Sequence, residues 1–111
     1  KNMAQDLESN GKRITNSATT IFTADSDDAV VGLRFANILT TTDTLDVFIT
    51  DAGDSDTARY LIKGVSVPVS SSIEIIQGGA KIVMQSGDVL KAQSGTANGF
   101  DCWVSRVDAI S

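Results

Sequence analysis

A chain of 111 residues, 41% hydrophobic and 21% charged, has the size and mix of one folded domain. Its net charge of −5 opposes a phosphate backbone, so no nucleic-acid partner is expected, and no apolar run approaches the ~20 residues of a membrane-spanning helix. Histidine is absent, which removes the commonest general base and zinc ligand, and the single cysteine, Cys102, cannot close an intrachain disulfide.

Residues 1–13 lack alternation and contain a Ser-Asn-Gly turn signal at Ser9 to Gly11, so they read as an arm, extended or briefly helical, ahead of a domain over 14–111. Beyond them, short runs rich in Val, Ile, Thr and Phe are separated by Asp, Gly, Ser and Asn clusters about every ten residues, the spacing of an all-β sandwich. Strands are expected at Thr19–Thr23, Ala29–Ile38 and Thr44–Thr50. In the second, alternation groups Val31, Leu33 and Phe35 on a core face and Gly32, Arg34 and Ala36 on the other. In the third, Leu45, Val47 and Ile49 form one face, and Phe48 on the other needs a covering partner. Arg59–Lys63 and Val65–Val67 follow, the latter ended by Pro68, which lacks a ladder donor and marks an edge or strand end. Ser72–Ile76, a hairpin signal at Gln77-Gly78-Gly79, Lys81–Met84, Val89–Gln93 and Phe100–Val107 complete the pattern. About eight antiparallel strands in two sheets result, in a jelly-roll or Greek-key arrangement.

Candidate sites are few. The Asp51 to Asp56 turn offers carboxylates but does not fit the Ca²⁺-loop spacing, and Asp and Gly are what a hairpin turn itself requires. Asp25, Asp27 and Asp28 read as a solvated loop. Asp46 and Glu74 lie at no defined separation for glycosidase chemistry, and the glycines form no phosphate-binding loop. No catalytic residue, metal or cofactor is therefore expected, and the chain is not expected to be an enzyme. Cys102 lies in an apolar stretch and reads as core packing. If Phe100, Cys102 and Val104 face inward, Trp103 faces out as a potential interface anchor; the reverse assignment places Trp103 in the core. Lys12 and Arg13 form a basic pair, either a solvated face or a contact for an acidic neighbour. Arg34, Trp103, Lys12 and Arg13 are thus the candidate interface residues. A carbohydrate-binding sandwich, with Trp103 or Tyr60 as the stacking platform, is the reading from a different class.

Over residues 14–110 the chain resembles small virion proteins of tailed bacteriophages. The likeness is carried by Phe22-Thr23-Ala24-Asp25-Ser26-Asp27-Asp28-Ala29-Val30-Val31-Gly32, by Tyr60 through Val69 and Ser72 through Ile76, and by Gly78 through Met84. Its closing part is Ser86-Gly87-Asp88-Val89-Leu90-Lys91 followed by Asp101-Cys102-Trp103-Val104-Ser105. The resemblance implies a non-enzymatic homo-oligomer, a trimer foremost, that resides in the virion. Its implied partner is the major capsid protein, as for a decoration or cement protein of the head, or an adjoining protein at the neck, tail or fibre.

Overall fold

The computed structural model describes residues 6–76 and 81–109. They form nine strands: β1 (Asp6–Ile14), β2 (Thr19–Thr23), β3 (Asp28–Asn37), β4 (Asp43–Asp51), β5 (Thr57–Val67), β6 (Ser72–Glu74), β7 (Ile82–Met84), β8 (Val89–Ser94) and β9 (Phe100–Asp108). A 3-10 turn at Ala52–Asp54 is the helical element among the described residues. One sheet runs β1-β9-β3-β6 with β7 also on β3, the other runs β2-β8-β4-β5, and every ladder is antiparallel. The pairings nest: β1 with β9, β2 with β8, β3 with β6 and β7, β4 with β5. A long hairpin folded over itself in this way is a jelly roll, the two-sheet solution in which both Greek keys share one core.

The two inner faces supply that core. Phe35, Val104 and Phe100 from the first sheet meet Leu45, Val47 and Leu90 from the second, all fully buried. Period-two alternation predicts most of this. Val31 is the exception: β3 shifts register between Val30 and Gly32, so Val30 is buried and Val31 is 37% exposed. A bulge adds one residue and reverses the sense of alternation upstream of it.

Two further expectations change. Residues 6–14 are not an arm preceding the domain but a strand, paired with β9 at every position from Asp6↔Asp108 to Ile14↔Phe100, so the boundary drawn after residue 13 falls inside β1. Its alternation is hidden in sequence because the strand lies at an edge, where most of its side chains meet water. The runs at 59–63 and 65–67 are one strand, β5, broken only in register. Gly64 takes φ +65° there, and its N–H donates to the Asp46 carboxylate at 2.6 Å. The hairpin signal at Gln77 to Gly79 lies outside the described residues.

Phe48, on the outward side of β4, is covered by Tyr60 of β5, with ring centroids 5.0 Å apart and the Lys63 ammonium 4.7 Å from the Tyr60 centroid. Asn37, buried at the end of β3, holds the sheets together there. Its Nδ2 donates to the carbonyls of Thr41 and Val67, each at 3.0 Å, while its Oδ1 accepts from Leu39 N–H at 2.8 Å. No helix among the described residues is long and apolar enough to cross a membrane.

Candidate functional site

Strand β9 lies between β1 and β3, so its outward side chains stand in the middle of a sheet face. Phe100, Cys102 and Val104 are buried, which turns Trp103 outward, and it is 55% exposed. Its cross-strand neighbours are Gly11 on β1 and Arg34 on β3. The indole leans over Gly11: a Cβ added there would lie 3.1 Å from Trp103 Cε3, so any side chain at position 11 would push the ring away. On the other flank, Gly32 and Ser105 floor a depression of about 260 Å³ walled by Trp103 and by the Arg34–Glu74 ion pair. A second ion pair, Arg13–Asp101, borders the indole on the side of Gly11. The face therefore presents an apolar plate between two self-neutralised charge pairs, held by backbone ladders on both sides.

Three of the four candidate interface residues, Arg13, Arg34 and Trp103, share this face. Lys12 does not. It pairs in register with the inward-facing Cys102, and alternation places it on the opposite side of β1, exposed at the sandwich rim. Tyr60 is on the other sheet, committed to Phe48 and Lys63, so the two aromatic platforms considered from sequence are not brought together.

Cys102 is 3% exposed, and burial pushes its thiol up to about 12, so it carries no thiolate at neutral pH. The Asp51 to Asp56 segment is the β4–β5 turn. Asp51 accepts from Gly53 N–H at 3.1 Å, Asp54 pairs with Arg59, and Ser55 and Asp56 take positive φ.

A polar cluster that sequence reasoning missed lies at the far end of β9. Asp28 is not a solvated loop residue but fully buried. Its Oδ1 lies 2.8 Å from Ser26 Oγ and accepts from Ala109 N–H at 3.2 Å, while Oδ2 faces Arg106 Nη1 at 3.4 Å. Arg106 also reaches Glu8 on β1 at 2.8 Å and lays its guanidinium 4.3 Å from the Phe22 ring centroid. Arg106 thus ties the edge strand β1, through β9, to β3 and the second sheet. Burial, and next the Asp108 carboxyl beside it, push Asp28 above the usual carboxylate range, while Asp108 is held below it, chiefly by its hydrogen bond to Asp28. Carboxylate oxygens of Asp25, Asp28 and Asp108 lie within 4.8 Å of one another, but Asp28 is already spent on Ser26, Ala109 and Arg106. The signal available in sequence was Arg106 itself, the one cation at an inward position of β9.

No family model matches the chain, and no curated protein does. The architecture defined above is nevertheless found among solved structures. The chain is similar to one from Bacillus endospore appendages, which form disulfide-linked pili, at 17% identity and TM-score 0.56, covering 97% of this chain and 88% of that one. It is also similar to two structures of a pentameric capsid protein isolated from metagenomic phage sequences, at 19% identity and TM-scores of 0.46 and 0.45. Those alignments cover 94% of this chain and 62% and 60% of the capsid chains, so it spans under two thirds of their length. At 17% identity, what the chain shares with the endospore-appendage structure is the fold.

Proposed function

We propose that this chain is a non-enzymatic structural subunit of a bacteriophage particle, a decoration protein that binds the outer surface of the head and stabilises the shell. The observation that carries the reading is the Trp103 face. A large aromatic side chain stands exposed on a sheet whose backbone is fixed by ladders on both sides, with ion pairs at its borders. Aromatic and arginine anchors with a polar rim are the anatomy of protein interfaces. The resemblance over residues 14–110 supplies the partner, the major capsid protein. The mechanism is additive: each copy contributes a modest contact, and a lattice repeats it many times over.

The second reading is an adaptor at the neck, tail or fibre, favoured by the fold shared with a pilus-forming chain. A disulfide-linked fibre through Cys102 is disfavoured, because the thiol is buried and protonated.

Quantitative mass spectrometry of purified virions tests the proposal by the copy number of this chain relative to the major capsid protein. A ratio near unity, or a simple fraction of it, supports decoration. A few copies per particle move the chain to the neck, tail or fibre, and its absence from the particle defeats both readings.

A further inference from the structure

Both sheets end in edge strands, and an edge is a template for another chain unless something blunts it. The edge of the second sheet is blunted: β5 carries two register shifts, and Pro68 follows its last residue. On the opposite edge, β2 is five residues long and has a shift of its own. β6 and β7 have three residues each. By contrast β1 runs nine residues against β9 without a shift, and its outer edge is paired with no described strand.

The charges of β1 indicate what covers that edge. Asp6 and Glu8 occupy its first half, Lys12 and Arg13 its second. Two of these are already used within the fold, Glu8 by Arg106 and Arg13 by Asp101. Asp6 and Lys12 make no ion pair among the described residues; both are exposed, and an even spacing puts them on the same side of the strand. An antiparallel pairing of β1 with a second β1 about a two-fold axis at Ser9 sets each Asp6 opposite the second copy's Lys12, twice by symmetry.

The same register settles three otherwise unrelated facts on the outer face. Leu7, 83% exposed, would stand opposite the second copy's Gly11, the position whose missing side chain lets Trp103 lean over the strand. Leu7 would then close over that glycine against the indole, covering apolar surface on both partners. We propose that β1 is a self-pairing edge: two copies of this chain join through antiparallel β1 strands centred on Ser9, so that the β1-containing sheets become one continuous sheet. This proposal does not depend on the particle to which the subunit belongs, because it is tested on the isolated chain.

Sedimentation equilibrium across a concentration series is the test, with far-UV circular dichroism to confirm that each variant folds. A monomer–dimer equilibrium is expected. Lys12→Asp and Asp6→Lys each place like charges opposite one another at both symmetric contacts and should weaken dimerisation about tenfold. The doubly exchanged variant Asp6→Lys/Lys12→Asp should recover the original affinity. Dilution should also shift the emission of the only tryptophan in the chain as Leu7 leaves it. A chain monomeric at every concentration would overturn the proposal. So would a trimer or pentamer with no dimer, a dimer indifferent to both single reversals, or a double exchange that fails to restore pairing.

Discussion

The two outer faces of the sandwich spend their aromatic residues in opposite ways. On the β5 side, Phe48 is 7% exposed because Tyr60 lies on it, and the strand that carries Tyr60 is bent twice out of register. On the β1 side, Trp103 is left uncovered over a glycine, and the neighbouring edge strand is straight. One face is finished within the chain, while the other has an aromatic plate and an open ladder that the described residues do not use. Exposure of a large apolar group is informative only beside such a contrast, since scattered surface hydrophobes are ordinary.

The contrast can be broken at its base. Asp28→Ala leaves Arg106 without its buried partner and should lower unfolding free energy by about 3–5 kcal/mol, measured by urea denaturation, with β1 the first strand to lose amide protection. On the finished face, Phe48→Ala strips the partner from Tyr60 and should cost roughly 3 kcal/mol without altering self-association; a change in oligomer size would contradict the division between the faces. Gly11→Ala should cost about 1 kcal/mol or less in stability yet move the Trp103 emission, because its Cβ meets the ring at 3.1 Å. Gly32→Ala, whose Cβ finds only ordinary contact with Ser105 at 3.6 Å, should stay within about 0.5 kcal/mol of the parent protein and leave the emission in place. The smallest signal is kinetic. Cys102 lies opposite Lys12, so labelling by a thiol reagent requires β1 to open or the chain to unfold, and variants that strengthen β1 self-pairing should slow it.

Much of the architecture was legible because alternation is a direct print of a half-buried strand. β2, the core positions of β4 and the inward set Phe100, Cys102 and Val104 follow from it. What was not legible shares one cause, that local pattern carries no information about distant partners. β1 has polar residues on both sides because it lies at an edge, Val31 is displaced by a bulge with no sequence mark, and Asp28 is buried only because Arg106, 78 positions away, lies beside it. Of the candidate interface residues, Arg13, Arg34 and Trp103 converge through strand order alone, since β1, β9 and β3 are neighbours in space and far apart in the chain. Lys12 separates from them by a single step of the pleat.

The nested topology also sets an order of events. The partner of both β1 and β3 is β9, the last described strand, and Asp6 meets Asp108 only after every strand between them has been made. At ribosomal speeds of about 5–20 residues per second, β1 waits for seconds as an unpaired strand, beside others translating the same message. A straight strand whose free charges complement those of its own copy is then exposed along both edges before the native partner exists, so a second copy can take the edge that β9 would otherwise occupy.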